Sequence, residues 1–145
     1  MTAPRTIDTL LTEYGASHLN PTNEIIHFIC VPVIVFTVLG LLWVLHPVVA
    51  LSASLIALRY YLTLSKPLAI GMLLMMLAML GLLLALPPDT ILPLSLAIFV
   101  LAWIGQFIGH KIEGKKPSFF DDLRFLLIGP LFVLGFLYRH WNLRY

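Results

Sequence analysis

The chain is 145 residues long, 60% apolar and only 11% charged, with a formal net charge of +2. A water-soluble domain of this length needs far more polar surface, so the composition predicts one integral membrane domain over residues 1–145. The small positive excess comes with no basic, aromatic-interleaved patch, so nucleic acid is not an expected partner, and the single Cys30 excludes a disulfide framework.

The first 24 residues are polar, which argues against a cleavable signal peptide. Within them, Ile7, Leu10, Leu11 and Tyr14 fall at helical spacing over residues 6–18. That pattern predicts a short amphipathic helix lying at the membrane surface. Asn20 before Pro21 suits an N-cap followed by proline at the first helical position. The helix begun there carries Asn23, Glu24 and His27, then runs apolar to about Leu45.

His46-Pro47 predicts a tight turn, and a second apolar segment follows over roughly 48–64, with Arg59 near its far end. Ser65-Lys66-Pro67 is the next turn, leading into a third segment over 68–86. Met72, Met75, Met76 and Met79 recur there at helical spacing, which reads as packing rather than a copper site. Pro87-Pro88-Asp89 ends it.

The fourth segment, about 91–109, carries Gly105 and Gly109, a small-xxx-small pair that lets another helix approach closely. It runs into Gln106, His110 and Glu113 at i, i+4 and i+7, so an amide, an imidazole and a carboxylate share one helix face. After Gly114-Lys115-Lys116-Pro117, Ser118 and Asp121 have capping-box spacing, ahead of an apolar run from Phe125 to Tyr138. That run is short for a full crossing and suits a tilted, half-buried or re-entrant helix. The expected fold is therefore an all-α polytopic membrane protein of four to five apolar helices, plus the N-terminal interfacial helix.

With four crossings, Arg5, Arg59, Lys66, Lys111, Lys115, Lys116 and Arg124 share one side. Only Arg139 and Arg144 could lie opposite, and only if the fifth segment crosses. The positive-inside rule then places the N-terminus and the 110–124 loop in the cytoplasm. The same topology brings His18, His27 and His110 to one depth, with Glu24 and Glu113 close by, while His46 falls on the opposite side. Three imidazoles with a carboxylate suit iron or zinc and leave coordination positions for substrate and oxygen. A non-catalytic lipid-binding or assembly protein with helix-capping histidines is the alternative. A bis-histidine haem site on His27 and His110, or a zinc hydrolase, is also compatible with the pattern.

The pattern Tyr14-xxx-His18-x-Asn20-Pro21-x-Asn23-xxx-His27-xxxx-Pro32, followed by Gln106-Phe-Ile-Gly109-His110 and Glu113-Gly-Lys-Lys-Pro117, resembles a family of small membrane proteins. Its fungal member is a 2-hydroxy fatty acid dioxygenase of phytosphingosine breakdown. The resemblance implies iron(II)-dependent α-oxidation, in which a long-chain 2-hydroxy fatty acid and O2 give a fatty acid one carbon shorter. It implies His18, His27 and His110 as the Fe(2+) ligands and Tyr14, Gln106 and Glu113 as supporting catalytic residues. Asn20 and Asn23 would belong with Lys115 and Lys116 to substrate binding, the lysines drawing in the carboxylate. The chain departs from the fungal pattern at Leu19, where a second histidine stands, and in the spacing of Glu113 from His110, which is three residues rather than four. Phe136 stands near the place of a further family glutamate. The expected location is the inner membrane in a bacterium or the endoplasmic reticulum in a eukaryote.

Overall fold

The computed structural model describes residues 5–145. Six helices follow one another: α1 (Thr6–Gly15), α2 (Pro21–Leu45), α3 (Pro47–Leu64), α4 (Lys66–Ala85), α5 (Pro88–Glu113) and α6 (Phe125–His140). Four of them, α2 to α5, are long and apolar enough to cross a membrane. The all-α polytopic architecture is the one that composition required.

Prolines and caps set the boundaries. Asn20 accepts from the Thr22 amide at 2.9 Å and Pro21 opens α2. His46 accepts through Nδ1 from the Val48 amide at 3.2 Å, and Pro47 opens α3. Ser65 caps α4 in the same way. A proline at the start of a helix lacks an N–H that would have had no helical partner anyway. At the other end of α5, Gly114 takes a left-handed conformation, φ +74°, and its N–H closes on the His110 and Lys111 carbonyls.

Helices α2 and α5 pack antiparallel along a seam of small residues. A Cβ added at Gly109 would lie 2.4 Å from Asn23 Oδ1, one at Gly105 2.9 Å from Cys30 Sγ, and one at Gly40 2.2 Å from Ser95 Oγ. The small-xxx-small pair thus works within the chain. The methionines are packing residues, as their spacing indicated: Met72, Met76 and Met79 are buried on α4. The apolar stripe of α1 (Ile7, Leu10, Leu11, Tyr14) is covered by protein, in one cluster with Phe125, Ile128, Leu131 and Phe132 of α6.

The region before α6 corrects the capping-box expectation. Ser118 opens a single 3-10 turn and its hydroxyl lies 3.2 Å from Ser17 Oγ, while Asp121 pairs with Lys116. Asp122 instead accepts from the Arg124 amide at 2.8 Å, and the helix starts at Phe125.

Helix α6 does not cross. The Tyr61 hydroxyl donates to the Leu127 carbonyl at 3.0 Å, and Tyr138 near the other end donates to Pro67 at 2.9 Å. Tyr61 and Pro67 flank the same turn, so α6 lies within the half of the bundle that holds the α3–α4 turn. All nine Lys and Arg side chains therefore lie toward that end. The opposite turns carry only one charged residue, Asp89.

Candidate metal centre

At the charged end, three elements converge. The loop after α1 brings His18, the second turn of α2 brings His27, and the last turn of α5 brings His110. Ring centroids are 4.1 Å apart for His18 and His27, 5.1 Å for His18 and His110, and 4.7 Å for His27 and His110. One ligating nitrogen from each falls within 4.8 Å of the others, and all three residues are buried. Glu24, close by in the topology, is not among the groups within reach.

Hydrogen bonding settles which nitrogens face inward. His18 Nδ1 donates to the Tyr14 carbonyl at 2.7 Å, and His27 Nδ1 donates to the Asn23 carbonyl at 2.9 Å. A carbonyl only accepts, so both protons sit on Nδ1 and each Nε2 carries a lone pair. His27 Nε2 lies 3.1 Å from His110 Nε2, and His18 Nε2 has no partner. Backbone carbonyls that fix the tautomer of a ligating histidine are the usual outer support of a metal site. Burial holds the His18 imidazole below its ordinary pKa, with the Tyr14 carbonyl and Glu113 opposing, so the ring is neutral near pH 7. The same Nδ1–H satisfies a carbonyl at the end of α1, so a capping role accounts for one nitrogen of His18 and leaves Nε2 unexplained. Among the five histidines the N-cap is His46; His140 is exposed at the end of α6.

Tyr14 lies flat on His18, ring centroids 4.3 Å apart and planes 13° from parallel, and burial raises its phenol pKa. Glu113 is a strap. One carboxylate oxygen accepts from the Leu19 amide at 3.0 Å, the other from the Asn20 amide at 2.8 Å and from Asn23 Nδ2 at 3.1 Å. Asn23 Nδ2 also donates to the Ser17 carbonyl at 3.0 Å. Together they pin the loop bearing His18 against α2 and α5. Leu19 is 73% exposed, so the position where fungal relatives carry a second histidine points away from the triad. The two lysines expected at the substrate are turned to other partners: Lys115 Nζ donates to the Ala16 carbonyl at 2.5 Å, and Lys116 pairs with Asp121. Asn20 is engaged in its cap.

Beside His27 and His110 lies a cavity of about 60 Å³ bordered by Gln106, Trp103, Ser118 and Phe125. Five buried side-chain polar atoms lack a hydrogen-bond partner among the described residues: His18 Nε2, Asn23 Oδ1, Trp103 Nε1, Gln106 Nε2 and His110 Nδ1. All five belong to this end of α2 and α5 or to the loop against it. An unsatisfied buried polar atom costs about 1–3 kcal/mol, so such a concentration marks a place built for a ligand. Trp103 was not singled out as a site residue from the sequence. Its spacing of three from Gln106 and seven from His110 was the available signal.

Comparison with known proteins gives the family. Residues 5–141 match the family model described as 2-hydroxy-palmitic acid dioxygenase Mpo1-like. The chain is 33% identical over 135 residues to the 2-hydroxy-palmitic acid dioxygenase MPO1 of Saccharomyces cerevisiae, covering 87% of this chain and 76% of that one. No solved structure matches. A polytopic helical chain with this triad, matched from Arg5 to Trp141, belongs to the Mpo1-like family of 2-hydroxy-palmitic acid dioxygenase-type membrane proteins.

Proposed function

We propose that this protein is an iron(II)-dependent dioxygenase that shortens long-chain 2-hydroxy fatty acids by one carbon. The observation that carries this reading is the triad itself: three buried imidazoles that each bring a ring nitrogen within 4.8 Å of the others, two of them with Nδ1–H fixed by a backbone carbonyl. The donor set fits a divalent metal of intermediate softness, and three protein ligands leave positions for a substrate to chelate. Iron(II) bound there supplies the electron transfers through which O2 reacts with an organic substrate.

The reaction balances without another reductant. A 2-hydroxy acid and O2 give the shorter acid, CO2 and water, so no nicotinamide or flavin is needed. Within the site, His18 and His27 would hold the metal through Nε2, and His110 through a ring nitrogen. Gln106 Nε2–H, free of protein partners, donates to the carboxylate of the acid. Tyr14 keeps the His18 ring in plane, and Glu113 with Asn23 holds the backbone that positions it. Lys115 and Lys116 act through their charge rather than by contact, since positive potential concentrated at one end draws in an anionic head group. By the positive-inside rule that end is cytoplasmic.

Iron content of the purified protein, prepared without oxygen, tests the reading against His110→Ala. The expected result is about one iron per chain in the wild type and none in the variant, with turnover of 2-hydroxyhexadecanoate lost in parallel. Zinc at the same stoichiometry, or no metal in either protein after iron(II) is supplied, would overturn it.

A further inference from the structure

Resting on that reading, we infer that the apolar chamber between α2, α3, α4, α5 and α6 is the acyl-chain subsite, entered past Trp103. The chamber has a volume of about 410 Å³ and its walls are almost wholly apolar, including Val38, Leu42, Ala57, Met76 and Phe99. It adjoins the cavity at the triad, with Ile34, Val35, Trp103, Leu126 and Pro130 bordering both. The cavity at the triad carries unpartnered donors among its apolar residues, whereas the chamber beside it is almost wholly apolar. An acid with a long alkyl tail has that division of chemistry.

The junction gives the orientation. Trp103 and Gln106 lie three residues apart on α5, so both face the same way, and each has a buried N–H without a partner. The amide sits beside the triad, while the indole borders both spaces. A carboxylate held by these donors would leave its alkyl chain pointing along α2 toward Leu42. From His27 to Leu42 is 15 residues, about 22 Å of helix, which exceeds the half-thickness of about 15 Å in a hydrocarbon core. The depth accommodates a long-chain tail, and a short-chain acid would leave most of it unfilled. A longer tail fills more of the chamber and makes more contacts with its wall, so the chamber rewards length. Ala57 on α3 and Phe99 on α5 then set the accepted length, one by leaving room and the other by taking it.

Anaerobic binding of labelled 2-hydroxyhexadecanoate and 2-hydroxyoctanoate to the full chain in phosphatidylcholine nanodiscs tests the assignment without requiring turnover. The wild type should favour the longer acid by at least a hundredfold. Ala57→Phe should cut that ratio tenfold or more, while Phe99→Ala should move the preferred length upward. The paired variants act in opposite directions, so a folding defect cannot imitate the result. Ratios unchanged in both variants would overturn the proposal. Hexadecanoate lacking the hydroxyl serves as the separate control. Length-dependent, Ala57→Phe-sensitive binding of both acids with no turnover of either would support the chamber and remove the dioxygenase reading. Turnover without length dependence would remove the chamber and leave that reading in place.

Discussion

The α2–α5 and α3–α4 pairs are both antiparallel, apolar and of membrane-spanning length, yet they are built on different rules. The α4 face that packs inward is made of large flexible side chains: Leu68, Met72 and Met76 cluster with Tyr61 of α3 and Ile128 of α6, and Met79 and Leu83 with Leu39 of α2 and Ile91 of α5. Such a contact adjusts to small errors in helix separation. The inward faces of α2 and α5 instead carry Asn23, Thr37 and Gly40 against Ser95, Ala102 and Gly109. Small residues bring the two backbones close, and a close approach leaves no slack. That rigid pair carries His27 and His110, while the adjustable pair joins α2, α5 and α6 in walling the chamber. A metal centre needs distances held to a fraction of an ångström, and a hydrocarbon pocket does not.

Substitution of glycine separates the two designs most sharply. In Gly109→Ala the new methyl would stand 2.4 Å from Asn23 Oδ1, and Asn23 is wholly buried. Either the helices part or Asn23 gives up its bonds to Ser17 and Glu113. A cost of about 1–3 kcal/mol is expected from overpacking, with a drop in iron affinity of tenfold or more. Gly81→Ala on α4 meets nothing within 4 Å. It should leave iron binding alone and hold or raise the melting temperature, because alanine favours the helix. Equal effects on melting temperature and iron content from the two variants would dissolve the distinction.

A smaller effect is expected from Glu113→Gln. A carboxylate accepts on both oxygens, whereas the amide has one acceptor, so the Leu19 or the Asn20 N–H loses its partner. The loop then holds His18 less firmly. Iron affinity, measured against a competing chelator, should fall by about 10–100-fold with the metal stoichiometry intact. Complete loss of the metal would make Glu113 a ligand instead of a strap.

Much of this arrangement could be read from residue order, and the failures are specific. Asn20-Pro21, His46-Pro47 and Ser65-Lys66-Pro67 marked the helix starts because cap and proline act locally. His18, His27 and His110 stood out because imidazoles at one depth of an otherwise apolar chain need a reason. Lys115 is different: it reaches Ala16, a contact across 99 positions that no spacing rule encodes. Trp103 was hidden because a tryptophan near the end of an apolar helix reads as an interface anchor. The path of α6 was undetermined because 14 apolar residues fit a short tilted helix as well as a re-entrant one. Two hydroxyl bonds decide it, Tyr61 to the Leu127 carbonyl and Tyr138 to the Pro67 carbonyl, since Tyr61 and Pro67 flank one turn and Leu127 and Tyr138 lie near opposite ends of α6.

The smallest expected effect is the most direct check on the adjustable pair. Met76 is 5% exposed and belongs to the cluster that includes Tyr61, Met72 and Ile128. Met76→Leu keeps the volume nearly constant and alters only shape and flexibility. Such exchanges usually cost less than about 1.5 kcal/mol, and here the helices can shift to absorb the change. Iron content should be unaltered, because nothing in the α3–α4 contact fixes an imidazole. The 2-hydroxyhexadecanoate preference should shift only slightly, since Met76 borders the chamber without standing at its entrance. A measurable loss of iron in this variant would mean that the α4 packing sets the α2–α5 distance from outside. The rigidity of the metal centre would then be a property of the whole bundle, and the glycine seam alone would not account for it.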